Sequence, residues 1–368
     1  MMVRRQVNVG GLRLTYLERG SEAKDQPSLV LLHGLMGCAE TFLPLVDHLR
    51  PDLHIVALDL PGAGESERRA DIDPRLASTA KYVERVLVQL GLHRPMILGH
   101  SYGGAIALHL AARKRPAVRS LVLLAPAHPY FDESDPVIRF YLSKPGELFA
   151  YLMPWLPEWL QMIGLRRMAG PQSVDTPESL RPYRTNLRTP GTIPHLLRLL
   201  RTWHKDMSRL RRALRHSLQV PALLFWGDCD RAVPIHSAAR LCERLPHARL
   251  VTLPGVGHRL AEEAPELVAG YIHSWLERQD CGASVLGSAK VSASQSRTAP
   301  VILSSLVPGA EGPSPALAKK WSAPAIHTTF LGSGACTSVD SSTPCGQKAS
   351  WTPLTNSLGT PPQAGRNR

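Results

Sequence analysis

Ser101 sits in Ile97-Leu98-Gly99-His100-Ser101-Tyr102-Gly103-Gly104, where an apolar run passes abruptly into the helix-forming stretch 105–112. Residues 99–103 fit the GxSxG nucleophile elbow, a strained strand-to-helix turn that lifts a serine oxygen clear of a sheet. Bulky side chains two positions either side of such a serine clash, and Gly99, Gly103 and Gly104 remove that crowding. A serine hydroxyl is a weak nucleophile at neutral pH and needs a base that a third group orients. Downstream, the strand-like 220–227 ends in the polar loop Asp228-Cys229-Asp230-Arg231, and the strand-like 248–254 leads into Gly255-Val256-Gly257-His258. Asp228 and Asp230 both qualify as the acid, and His258 as the base.

The chain has 15 histidines, and a histidine is more often a surface or capping residue than a base. His258 stands apart because it follows a strand and a glycine loop and precedes the acidic helix start Glu262-Glu263-Ala264-Pro265-Glu266. His33 and His100 suit structural roles beside the loops they occupy. His128, His195 and His204 read as core or surface residues.

These side chains need a scaffold to bring them together. Strand-like and helix-like stretches alternate from 29 to 276, which predicts a mostly parallel sheet with helices on both faces. The stretches 7–9 and 12–16, split by Gly10-Gly11, predict an antiparallel hairpin at one edge. Apolar faces predict helices over 74–90, 235–245 and 262–276. Between the strands at 120–125 and 220–226 lies far more chain than a connection requires.

Four motifs in order carry a resemblance: His33-Gly34 after the strand at 29–32; Asp59-Leu60-Pro61-Gly62-Ala63-Gly64-Glu65-Ser66 after 54–58; the elbow; and the Trp-Gly-x-x-Asp and Gly-x-Gly-His pair near 226–230 and 255–258. The chain resembles the α/β-hydrolase superfamily, of the small lipase, esterase and haloperoxidase-like type, over residues 5–279. The resemblance implies an α/β-hydrolase fold, a mostly parallel eight-stranded sheet flanked by helices. Its catalytic core would comprise 1–126 and 220–279, with 127–219 a helical cap over the serine. The family's acid position maps to Asp230 rather than Asp228, giving Ser101, Asp230 and His258 as the triad. Its oxyanion donors map to the backbone N–H groups of Leu35 and Tyr102, with Met36 the alternative to Leu35.

The activity implied is hydrolysis of a small to medium apolar carboxylic ester or thioester through an acyl-enzyme, without metal or organic cofactor. Epoxide hydrolases and haloalkane dehalogenases of the superfamily carry an aspartate at the elbow, and Ser101 speaks against both. Many carbon–carbon hydrolases carry an aromatic residue after the catalytic histidine, where this chain has Arg259. Acyl transfer to another acceptor, or a ligand-binding receptor on the same fold, are the other readings. Met36, Trp155 and Trp159 are the candidates for the substrate pocket.

The glycines of 59–66 invite a phosphate-loop reading, but the Gly-Lys-Ser/Thr ending and the dinucleotide fingerprint are both missing. A tight turn explains them.

The net charge is +13, and 127–219 carries 14 basic against 8 acidic side chains. Within 193–218 the apolar residues recur at helical spacing with arginines on other faces, so a solvated helix face explains the excess more cheaply than nucleic acid. Weak attraction to anionic substrates or acidic lipid surfaces is its residual consequence. The very apolar stretch 148–163 is expected to pack against the core and contribute to the pocket, ahead of touching a membrane surface. Six cysteines show no C-x-x-C spacing or disulfide framework. No run of eighteen apolar residues and no signal-peptide core appear, so a cytoplasmic location is the default expectation. From 281 onward Ser, Ala, Pro, Gly and Thr dominate, which predicts a mostly disordered tail over 280–368.

Overall fold

The structure, a computed structural model, describes residues 1–20, 28–113, 118–131, 136–171, 173, 175–288 and 328–330, all within one compact unit, Met1–Cys336. The tail expected over 280–368 lies outside the described residues except at its start and at 328–330.

Short apolar runs make the centre of the sheet. Leu29–Leu32 (β3), Ile55–Leu58 (β4), Met96–His100 (β5), Ser120–Leu124 (β6) and Ala222–Gly227 (β7) are buried along almost their whole length. Such runs suit parallel strands covered on both faces. They pair in parallel in the order β4-β3-β5-β6-β7, and Ala248–Leu253 (β8) joins beyond β7. Val3–Val9 (β1) and Leu12–Arg19 (β2) form the expected edge hairpin, with β2 antiparallel to β4.

Eight strands were expected, and β1–β8 supply them. Thr328–Phe330 (β9) adds a ninth, antiparallel to β8. Only three residues long, it carries no alternation that sequence reading can detect.

Helices Leu43–His48 (α1), Leu76–Gln89 (α2) and Tyr102–Ala112 (α3) connect the first strands. Between β6 and β7 lie Pro136–Tyr141 (α4), Lys144–Leu152 (α5), Glu158–Arg166 (α6), Arg181–Arg188 (α7) and Thr192–Ala213 (α8). Ala238–Cys242 (α9), Leu260–Glu263 (α10) and Pro265–Ser288 (α11) complete the set, α11 running past the boundary expected at 279. Helix α8 buries Leu199, Trp203, Met207 and Leu210 along one stripe, and its buried Asp206 accepts the Leu76 N–H at 2.9 Å to close the start of α2. No helix among the described residues is long and apolar enough to cross a membrane.

Candidate active site

The connections at the carboxyl ends of β3, β5, β7 and β8 converge, as open parallel sheets place their sites. Ser101 follows β5 with φ 50° and ψ −115°, an uncommon conformation for a residue with a side chain. It persists because the turn is over-determined. The Ser101 N–H donates to Leu124 O at 3.0 Å, and its carbonyl accepts from Ala127 at 2.8 Å and Gly104 at 2.9 Å. A Cβ on Gly99 would stand 2.5 Å from Gly103 O, and one on Gly103 would stand 1.9 Å from Leu32 O. Helix α3 can therefore approach β3 and β5 only with glycine at these positions.

The loop after β7 carries both aspartates, and they do different things. Asp230 is buried; its Oδ1 accepts the N–H groups of Ala232 and Val233 at 2.8 and 2.9 Å, and its Oδ2 lies 2.8 Å from Nδ1 of His258. Asp228 is exposed and accepts the Gly255 N–H at 2.7 Å, which braces the turn before the histidine. His258 is buried and lines the same cavity as Ser101. With Nδ1–H directed at Asp230, its Nε2 is left as the acceptor nitrogen.

Gly34, Leu35 and Met36 form another wall of that cavity; a Cβ on Gly34 would lie 3.0 Å from the Ser101 Cβ. The Tyr102 N–H opens α3, where backbone donors have no partner within the helix and the dipole is positive.

Two histidines, His100 half-buried and His33 buried, hold these loops while staying neutral. His100 Nε2 donates to the His258 carbonyl at 2.8 Å; burial and the neighbouring His258 push its pKa down to about 3. His33 accepts the Leu60 N–H on Nε2 at 3.1 Å and donates from Nδ1 to Gly34 O at 2.8 Å, with burial lowering its pKa to about 4. The His33 pattern, with Nε2 accepting and Nδ1 donating, requires a neutral ring of one tautomer. In the 59–66 turn, the buried Asp59 carboxylate accepts the Ala39 and Glu65 N–H groups at 2.7 and 2.9 Å, so this motif ties loops together.

Three further groups make contacts that are not legible in the sequence. Asn186 of α7 donates to Met36 O at 2.8 Å and Gly37 O at 2.9 Å, fixing the loop beside Ser101. Glu263 accepts the Gly257 and Arg259 N–H groups, each at 2.9 Å, and so grips both neighbours of His258; it also accepts Gly170 N–H at 2.7 Å. Arg259 is buried at the cavity wall, paired with Asp175 and with Glu262 at 2.7 Å, and Tyr183 donates to Glu262. Burial raises the Glu262 carboxyl to about 7 against the opposing pull of Arg259 and Tyr183. The partners lie roughly 80 to 150 residues apart, except within 257–263, so only a capping-type signal at Glu263 was readable.

The cavity measures about 210 Å³ and is walled mainly by apolar side chains, among them Met36, Phe131, Ile138, Met153, Leu187 and Leu196. Met36 lines this cavity. Trp155 and Trp159 do not: they are 73% and 62% exposed and stand outside the cavity. The reason is local. Helix α5 packs through its small residues Gly146 and Ala150, Gly146 lying so close to Phe140 that a Cβ would meet its carbonyl at 1.9 Å. On α6 the inward positions are Gln161 and Leu165, and Gln161 donates to Pro154 O and Leu156 O at 2.9 and 2.7 Å. Trp159, two residues before Gln161, therefore faces outward.

Among the described residues no group of three or more His, Cys, Asp or Glu side chains is arranged to hold a metal. Residues 27–265 match the family model described as the alpha/beta hydrolase fold. "Uncharacterized hydrolase YugF" of Bacillus subtilis (strain 168) is 30% identical over 273 residues, covering 74% of this chain and 97% of that protein. The magnesium-chelatase 30 kDa subunit of Rhodobacter capsulatus is 31% identical over 257 residues, covering 69% and 88%. Among solved structures, haloalkane dehalogenase DbeA of Bradyrhizobium elkani USDA94 superposes with a TM-score of 0.65 at 23% identity, over 77% of this chain and 100% of that one, a likeness of fold alone. With its strand order, its turns and these relatives in agreement, the chain belongs to the α/β-hydrolase fold family and is a hydrolase.

Proposed function

We propose that the protein hydrolyses carboxylic esters or thioesters of small to medium apolar acids by a serine mechanism. The observation that carries this reading is the His258 ring: tied to buried Asp230 at 2.8 Å, it shares an apolar cavity with the strained Ser101. In the proposed cycle His258 Nε2 takes the Ser101 proton as Oγ attacks the acyl carbon. The N–H groups of Leu35 and Tyr102 receive the oxyanion, and the protonated histidine gives its proton to the departing alcohol or thiol. Water, deprotonated by the same ring, then cleaves the acyl-enzyme and restores Ser101. Asp230 stabilises the imidazolium and keeps the tautomer, and two backbone N–H groups on its other oxygen fix its orientation.

In this reading 127–219 is a cap on a core formed by 1–126 and 220–279. Support comes from Met153, Leu187 and Leu196, which share the cavity with Ser101, and from the Met168 carbonyl, which accepts the His258 N–H at 2.7 Å. The apolar walls favour an acyl chain over a charged substrate, since Arg259 is already paired with Asp175 and Glu262. A cytoplasmic setting is part of the proposal, and fractionation of cells expressing the tagged chain tests it.

The test of the chemistry is turnover of p-nitrophenyl butyrate by the purified chain and by Ser101→Ala. Hydrolysis by the first with loss of at least about 10³-fold in the second supports the reading. Equal rates in both remove Ser101 from the chemistry.

A further inference from the structure

The helices between β6 and β7 turn one face to the cavity and another to solvent. Ala150 and Met153 line the cavity, whereas Leu148, Phe149, Tyr151 and Leu152 beside them are exposed. Across the Pro154 turn the apolar surface is extended by Trp155, Trp159 and Ile163. Trp155, Trp159 and Leu148 are 73%, 62% and 61% exposed, while Trp203, Trp226 and Trp275 are at most 8% exposed. Apolar side chains scattered singly over a surface need no explanation, but seven exposed within sixteen residues concentrate apolar surface on one segment, as a partner's contact does.

The charge around the patch identifies the partner's chemistry. Over 136–168 the acidic side chains are Glu147 and Glu158 alone, and each is held in an ion pair, with Arg201 at 2.9 Å and Arg184 at 2.8 Å. The same stretch carries Arg139, Lys144, Arg166 and Arg167, all exposed. Tryptophan, tyrosine and leucine flanked by arginine and lysine suit a boundary that is apolar inside and negatively charged outside. A second copy of the chain fits worse, because a two-fold contact through this face sets the same basic rim against itself.

We propose that this face docks on the surface of an anionic phospholipid bilayer, with Trp155 and Trp159 entering the headgroup layer and Arg166 and Arg167 at the lipid phosphates. Since Ala150 and Met153 on the reverse of the docked segment wall the cavity, docking brings the site beside the lipid surface. Docking requires no turnover, so it stands or fails apart from the ester reading.

The test is cosedimentation of the full chain with phosphatidylglycerol-containing vesicles and with vesicles of phosphatidylcholine alone, joined to tryptophan emission with brominated lipids. Expected are binding that is roughly 30-fold stronger to the anionic vesicles, from two basic side chains at the lipid phosphates, and quenching of the emission by brominated acyl chains. Trp155→Ser with Trp159→Ser should weaken binding by at least about tenfold while preserving the circular dichroism spectrum and the rate on soluble p-nitrophenyl butyrate. Arg166→Gln with Arg167→Gln should erase the preference for anionic vesicles. The proposal is overturned if wild type binds neither vesicle, or if the tryptophan variant, folded, binds as wild type does. It is equally overturned if wild type sediments as a dimer that the tryptophan variant dissociates, which makes the face a contact between copies.

Discussion

Strand β6 and helix α5 are both written largely in apolar residues, yet every side chain of Ser120–Leu124 is buried while Leu148, Phe149 and Leu152 of α5 are exposed. A central parallel strand is covered on both faces, so whatever apolar residue it carries goes inside. A short helix in the insertion has only one stripe to bury, and on α5 the small residues Gly146 and Ala150 take it. Close backbone approach displaced the large side chains outward. Burial thus follows composition in the sheet, but follows the phase and size of neighbouring residues in the insertion. The two regions should respond differently when altered, and the tests below run from the largest expected effect to the smallest.

The most severe effect belongs to the turns at the sheet's carboxyl edge. Asp230→Asn should lower kcat by roughly 10³- to 10⁴-fold with the fold retained, because the His258 ring loses the acceptor that sets its tautomer. Asp228→Asn, which touches only the turn at Gly255, should leave kcat near wild type. Steady-state kinetics on p-nitrophenyl butyrate compares the two, and a reversed order would transfer the acid role. Gly103→Ala comes next. Its Cβ meets the Leu32 carbonyl, so backbone must shift, and denaturant unfolding should show a loss of about 3 kcal/mol.

A third effect reads the interior through pH. Burial depresses His128 to about 3 and His195 to about 4, as it does His33 to about 4 and, with the neighbouring His258, His100 to about 3. In the unfolded chain these rings bind protons near pH 6.5. Below that value the unfolded state takes up protons that the folded state refuses, so stability is full above about 6.5 and is lost as pH falls toward about 4. Each ring contributes a slope of about 1.4 kcal/mol per pH unit inside that window. His128→Gln should remove one such increment from the pH profile of unfolding; an unchanged profile would show that ring titrating freely. The smallest effect is expected at the insertion's surface: Trp159→Ser alone should change stability by no more than about 0.5 kcal/mol. A loss of several kcal/mol there would erase the contrast between the regions.

The same contrast explains what could be read in advance. Strands, the hairpin at Gly10-Gly11 and the glycine-rich turns at 59–66 and 99–104 are local, and each leaves its signal within a few residues. The position of Ser101 at the head of α3 is legible for that reason, as is the placement of Asp230 and His258 on neighbouring strand ends. What supports them was not legible. Asn186 reaches Met36 across 150 residues, and Tyr183 reaches Glu262 across 79. Side-chain pairings of that range depend on how the insertion folds back, which no periodicity encodes. The outward placement of Trp155 and Trp159 is not legible either: apolar residues belong inside on average, and only the small Gly146 and Ala150 of α5 and the polar Gln161 of α6 point the other way.

The most direct test of the account is covalent capture of the nucleophile by a fluorophosphonate, located by peptide mass spectrometry. The account predicts one adduct on the peptide containing Ser101, absent in Ser101→Ala and slowed in Asp230→Asn. A folded chain that takes no label, or takes it at another residue while Ser101 stays unmodified, would contradict it.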